Sequence, residues 1–352
     1  MAQQRIEKLA LPNVSRELQP ASFGDQELGP LALLPGVWAN LRDPYTPSSG
    51  PFNGHGWNMI ALPVASEKSK VNFRLLMNQY NERLVITTKD SKVPNRGIRP
   101  NPPEPQPAIE TDQAIAALDY EQGIVQIATA DFPSSGLTQP INSAIHHEPG
   151  LFLFMKNQVG NGPNIGRLGT IPHGNSVLAL GTATSPAPGQ PVIPPSDGLP
   201  IGVGDANRST SPYFEPYAHF INTPFLKRFR PDRTHELLLK TLISLGQISR
   251  TLTLHFSTSI ESGGIVNIPF IRDQAAATEM DATFWIMETQ DPKGHMRHIM
   301  MYHQVVMLEF FKRRDDIPGL IKWPHVSINT MERIGDAPAS LSLSTEDISA
   351  RA

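Results

Sequence analysis

The segment Ile321-Lys322-Trp323-Pro324-His325-Val326-Ser327-Ile328-Asn329-Thr330-Met331 decides how this chain reads. It is branched and aromatic, as strands are. Alternation along a strand puts His325 on one side with Trp323, Ser327 and Met331. If that side lines a closed barrel, the imidazole points into a cavity. There it is a candidate ligand for an iron or for a polar substrate.

Just upstream, Ile299-Met300-Met301-Tyr302-His303-Gln304-Val305-Val306-Met307-Leu308-Glu309-Phe310 is apolar on both faces. A strand with one wet face would alternate instead. One face is therefore expected to meet the cavity contents. The other needs a helix, a loop or a second subunit over it, and self-association as a homodimer is expected there.

Working outward, similar short segments recur at Val71–Met77, Leu84–Thr88, Ile124–Ala130, Leu151–Met155, Ser176–Thr182, Arg250–Phe256 and Ala282–Thr289. Their spacing predicts many antiparallel strands, in a closed barrel or a sandwich. One helix stands out. Leu238, Leu242 and Leu245 recur at helical spacing, with Asp232 as the expected N-cap and Gly246 as the stop. It is expected to plug or flank the barrel. The 34 prolines cluster, notably at 99–107 and 184–204, and these stretches read as loops because proline cannot donate to a sheet ladder. The chain is thus divided into an N-terminal tail (1–19), one enlarged barrel domain (20–335) with a helical insert (205–250), and a C-terminal tail (336–352). The expected class is mainly β, an up-and-down antiparallel barrel with one inserted or flanking helix.

Bulk composition narrows the function. The chain has 352 residues, a net charge of −3 and no cysteine. A near-neutral balance argues against nucleic acid as a partner. The missing thiols exclude disulfides, thiolate-ligated haem, Cys-held iron–sulfur clusters and a Cys nucleophile. No apolar run reaches the ~18–20 residues of a membrane-spanning helix, and the N-terminus lacks a signal-peptide core. The expectation is a soluble, cytoplasmic protein with no membrane partner. No nucleophile elbow, His-Glu-x-x-His or phosphate loop is present.

Four segments, in order, resemble the nitrobindin family of haem-binding β-barrels. Leu28-Gly29-Pro30-Leu31-Ala32-Leu33-Leu34-Pro35-Gly36-Val37-Trp38 is similar to the family's opening motif. Ile145-His146-His147-Glu148-Pro149-Gly150-Leu151-Phe152 resembles its His-x-Glu-x-Gly-aromatic strand pair. His173-Gly174-Asn175-Ser176-Val177-Leu178-Ala179-Leu180-Gly181 lies near its His-Pro-x-Gly segment. Pro324-His325-Val326-Ser327-Ile328-Asn329-Thr330-Met331-Glu332-Arg333 resembles its closing strand, whose histidine is the axial haem ligand. Two departures stand out. Ala39-Asn40-Leu41 replaces the family's glycines after the opening tryptophan, and the Pro-rich loops and helical insert enlarge the chain.

The resemblance implies a calycin-like (lipocalin-like) barrel holding haem b, with His325 as the metal ligand. The candidate cofactor set is His325, His173, Trp323, Met301 and Arg167, the last as a partner for a haem propionate alongside Arg272. Met300, Met307, Trp285, Phe284 and Phe256 are further candidates for pocket lining. A ferric haem on one neutral imidazole leaves the far iron face for a small ligand. The family's chemistry there is binding of nitric oxide, peroxynitrite isomerisation or peroxidase-like turnover. Two other readings stand beside it. One is a non-haem carrier of a hydrophobic small molecule, in the lipocalin or fatty-acid-binding style. The other is a cofactor-free enzyme on a calycin barrel, with Glu148 and His147 as the acid–base pair. His295, His298 and His303 are read as turn residues beside Lys293-Gly294, and no catalytic residue is assigned.

Overall fold

The computed structural model describes residues 18–41, 54–65, 71–99, 109–110, 112–156, 162–204 and 211–337. Most of the Pro-rich 99–107 stretch and of both tails lies outside them. The strands are β1 (Gln19–Pro20), β2 (Gly36–Asn40), β3 (Gly56–Pro63), β4 (Phe73–Asn95), β5 (Ile98–Arg99), β6 (Ile109–Glu110), β7 (Gln113–Phe132) and β8 (Ala144–Met155). They continue as β9 (Ile165–Ile171), β10 (Asn175–Ala183), β11 (Ala187–Pro188), β12 (Ile248–Ser257), β13 (Gly264–Asn267), β14 (Ala276–Gln290), β15 (Met296–Lys312) and β16 (Leu320–Gly335). The helices are α1 (Glu215–Asn222), α2 (Glu236–Ser244) and α3 (Pro269–Ala275).

Ten antiparallel strands close a barrel in the order β2-β4-β7-β8-β9-β10-β12-β14-β15-β16 and back to β2. The expected mainly-β barrel is therefore present, consistent with a calycin-like fold. Two details set its shape. β2 bridges β16 and β4 at one end, and β3 takes the same place at the other. Closure at β10–β12 depends on Gly181, where a Cβ would lie 1.7 Å from the His255 carbonyl oxygen.

The end of the barrel near β2 is filled. A kinked 3-10 segment, Gln26–Leu31, drives Leu28 and Leu31 into the interior beside Leu34 and Trp38. The Trp38 indole donates to the Leu34 carbonyl at 2.8 Å. Lys89 holds the segment down through Asp25 and Glu27. The opening motif thus forms a plug. Around it Ile86, Leu118, Phe152, Leu252 and Phe256 complete an apolar floor.

A second core lies outside the barrel. The insert, described over 190–204 and 211–245, packs Ile193, Tyr217, Phe225, Phe229, Leu238 and Leu242 onto the outer faces of β3, β4, β14, β15 and β16. Gly198 presses on this wall so closely that a Cβ would stand 2.6 Å from the Met59 sulfur. The insert covers the outer face of the doubly apolar 299–310 run.

Two local expectations are corrected. The described residues carry three helices instead of one; α1 and α3 span 8 and 7 residues, too few for a clear apolar period. Asp232 does not cap α2: Arg230 takes both its carboxylate oxygens, at 2.9 and 2.6 Å, and the helix starts at Glu236. Gly246, with φ +75° just past the helix, is the expected stop.

Candidate functional site

Strand register sorts the inner wall into layers. Cross-strand partners share a face, so the pairs give the layers directly. Tyr302 pairs with Asn329, Gln304 with Ser327, and Val306 with His325. On the neighbouring strands Asn58 pairs with Ser327 and with Asn78, Asn78 with Thr129, and Ile60 with Leu76.

The deepest of these layers is a hydrogen-bonded floor. The Glu82 carboxylate accepts from the Tyr302 hydroxyl at 2.6 Å, Gln122 at 2.7 Å and Asn329 at 2.8 Å. The Tyr80 and Tyr302 hydroxyls are 2.8 Å apart. Burial raises the Glu82 carboxyl above its usual value, and these hydrogen bonds oppose the rise. Beside it Arg167 donates to Glu148 at 2.9 Å, to the Tyr120 hydroxyl at 3.1 Å and to Gln304 at 2.7 Å. Its guanidinium also lies 5.5 Å from the Phe284 ring centre. Burial alone would push the Glu148 carboxyl up, but Arg167 and His146 hold it down at about 2.

Above the floor the side chains open. Tyr80, Glu82, Asn329 and Tyr302 are buried, whereas Gln304, Ser327, Val306, His325, Ile60 and Leu76 are half-buried although they point inward. An inward side chain that keeps accessible surface lines a cavity. Burial lowers the His325 pKa to about 4, with His146 and His173 adding to the effect. Its imidazole is therefore neutral near pH 7. Among the described residues no hydrogen bond engages either of its ring nitrogens, so no acceptor fixes its tautomer.

Two further polar atoms in the wall lack partners. Asn78 donates to Asn58 Oδ1 at 3.0 Å, which leaves Asn78 Oδ1 without a hydrogen bond. The hydroxyl of Thr129, directly opposite on β7, is also unpaired.

The mouth is crossed by β13 and α3 and rimmed by the 172–174 turn, where Gly174 packs on Ile268. α3 contributes no buried residue, and Phe270 on it is 69% exposed.

The sequence candidates divide clearly. His325 faces the cavity. His173 is an exposed turn residue at the mouth, close enough to His325 to influence its charge. Trp323 parts company with His325: it stacks on Phe310 with centroids 4.8 Å apart and joins Phe73, Tyr213 and Tyr217 in the outer cluster. Met301 lies on the outer wall under the insert, as does Trp285, while Met300, Phe284 and Phe256 face inward. Strict alternation along β15 and β14 decides this, since neighbouring residues cannot share a face. Arg167 is fully inside and committed to Glu148, which leaves it little capacity for a propionate. Arg272 sits on α3, paired with Asp273. The Glu148–His147 pair is replaced by Glu148–His146 at 3.3 Å, and His147 meets Glu121 on the outside. Again two residues on one face are i and i+2. The Glu82–Tyr302–Asn329 floor and the Asn78–Thr129 pair went unread, because their members come from strands distant in sequence.

Among the described residues no group of three His, Asp or Glu side chains is arranged to hold a metal ion, and no helix is long and apolar enough to cross a membrane. No protein-family model matches the chain, and no curated protein does so significantly. Among solved structures, the crystal structure of Rv2717c from M. tuberculosis aligns over 88% of this chain and 95% of that one, at 13% identity and a TM-score of 0.33. Similarity at that level transfers neither fold nor function.

Proposed function

We propose that the protein binds haem b in the mouth-side cavity, with His325 as the axial iron ligand. The observation that carries this reading is the state of His325: neutral, inward-facing and free of hydrogen bonds to described residues. A neutral imidazole with an uncommitted nitrogen is the donor that haem iron takes. Ile60, Leu76 and Val306 share its layer and offer apolar surface to a macrocycle. Bound haem would supply an open iron face for nitric oxide, peroxynitrite or peroxide. What the chain itself contributes is a single donor and a wall that excludes bulk water. Titrating haem into the full chain and following the Soret band tests the reading. His325→Ala is expected to weaken haem binding at least tenfold, and an unchanged spectrum and affinity would overturn the assignment.

A non-haem carrier of a hydrophobic molecule is the second reading. It draws on the commitment of Arg167 to Glu148 and on the uncharged wall around Ser327 and Asn78. Mass analysis of small molecules extracted from the purified protein separates the two, since recovery of an apolar metabolite without porphyrin favours the carrier.

A further inference from the structure

A buried indole N–H ordinarily finds an acceptor. Trp38 donates to the Leu34 carbonyl at 2.8 Å and Trp323 to the Phe310 carbonyl at 3.0 Å. Trp285 departs from this pattern. It is only 3% exposed, yet among the described residues no hydrogen bond engages its Nε1. Nor does that nitrogen belong to the sealed polar atoms that lack a partner, so it keeps a small accessible face.

That face opens on a groove outside the barrel. A space of about 480 Å³ lies between the outer faces of β12 and β14 and the chain from Thr184 to Pro194. Its floor holds two cross-strand pairs, Thr253 with Trp285 and His255 with Thr283. These side chains point outward because Leu252, Leu254, Phe256 and Phe284 point inward. The wall is pinned to β12. The Thr184 amide donates to the Thr253 carbonyl at 3.0 Å, and the Gly189 amide to the Ser249 carbonyl at 3.1 Å. The Thr251 hydroxyl donates to the Gly189 carbonyl at 2.7 Å. The groove is therefore formed before any ligand arrives.

Its chemistry has a fixed polarity. An indole N–H only donates, so the group that meets it must be an acceptor. Thr253 stands directly opposite, with Cβ atoms roughly 4.5–5.5 Å apart. Among the described residues no partner engages its hydroxyl, which can donate beside the indole. A carbonyl oxygen carries two lone pairs and accepts from both. No Lys, Arg, Asp or Glu lines the groove. Its one imidazole, His255, has Nε2 taken by Asp281 at 2.9 Å. A charged ligand thus finds no uncommitted counter-ion, whereas Pro188, Pro191 and Val192 offer apolar surface.

We propose that this groove binds a small uncharged molecule through a carbonyl oxygen, an amide or a ketone, held by the Trp285 indole N–H and the Thr253 hydroxyl. The apolar body of the ligand lies against the prolines. The site is on the outside of the barrel and does not depend on haem binding.

Caprolactam, a neutral cyclic amide, is the probe. It is titrated into the full chain isotope-labelled at the tryptophan indole nitrogens, with cyclohexylammonium and cyclohexanecarboxylate as charged probes of similar size. Caprolactam is expected to move one indole NMR signal saturably, the signal that Trp285→Phe removes. The two charged probes are expected to bind at least about fivefold more weakly, the value of one hydrogen bond. Saturation transfer observed on the ligand gives the affinity in the variants. Trp285→Phe and Thr253→Val are each expected to weaken caprolactam about fivefold. Thr253→Val is nearly isosteric and serves should Trp285→Phe not fold. An unmoved Trp285 signal overturns the site and leaves the indole to a bound water. Equal binding of the three probes, or an affinity unchanged in the folded variants, overturns the carbonyl assignment.

Discussion

His325 and His303 sit in comparable electrostatic positions on opposite faces of the barrel wall. Burial pulls both to about 4, His325 inside and His303 beneath the insert, where its Nε2 has no partner. In the unfolded chain both take a proton near the ordinary histidine value of about 6.5. The unfolded state thus binds more protons between about 6.5 and 4, and stability falls as pH drops through that window. Each contributes a slope on the order of 1.4 kcal/mol per pH unit there. The urea midpoint should decline from pH 6.5 to 4.5, and His303→Phe should flatten the decline. An identical slope in the variant would count against the burial of His303. Haem held on His325 should dissociate only as pH falls below about 4, where a proton competes with iron for the imidazole, read as loss of the Soret band. Glu148 acts with the opposite polarity. Its folded value of about 2 contributes stability that is full above about 4.5 and is lost only as pH falls further. Breaking its pair leaves a buried charge unmatched, so Arg167→Met should cost about 3–5 kcal/mol. The Arg167→Met/Glu148→Met double variant should lose less than the two single losses added, measured by denaturant unfolding.

At the scale of elements, register converts alternation into function. The grouping of His325 with Ser327 and Met331 on one face of β16 was legible from period two. Trp323 broke the pattern because β16 begins at the barrel rim, where its ring turns to Phe310, Tyr213 and the α1 residue Tyr217. On β15 the two faces were both apolar, so hydrophobicity alone did not tell Met300 from Met301. The partner strands did, since Met300 pairs with Met331 and Met301 with Thr330. Met301→Asp should therefore destabilise the protein by several kcal/mol, from a charge buried under the insert, while Met301→Leu leaves haem affinity unchanged. A fall in haem affinity in Met301→Leu would place that side chain in the cavity after all. Closure is the other element-level constraint. Gly181→Ala drives a Cβ into the His255 carbonyl, and β10 should no longer pair with β12. Amide exchange at Leu180–Ala183 and Leu254–Ser257 would rise if closure depends on this glycine.

For the molecule as a whole, the insert decides what the barrel shows to solvent. Trp57, Met59, Met77, Met301, Val326 and Ile328 form an apolar outer wall that 190–245 covers. A chain deleted in 190–245 should associate or aggregate, followed by light scattering against the intact chain, because so large an exposed patch is untypical of a monomer. The sequence by itself determined the strand-rich character, the near-neutral net charge of −3, the grouping of His325 with Ser327 and Met331 on one face of the last strand and the candidacy of His325, because each follows from local alternation or composition. It also marked the plug residues from Leu28 to Trp38 as a unit, though not as a plug. Only the tertiary structure decided which apolar face meets the cavity and which meets the insert, that Glu148 answers to His146 and Arg167, and that Asn78 and Thr129 stand opposite each other. Those facts depend on strand pairings between residues tens to hundreds of positions apart, and no local pattern encodes the register of such pairs.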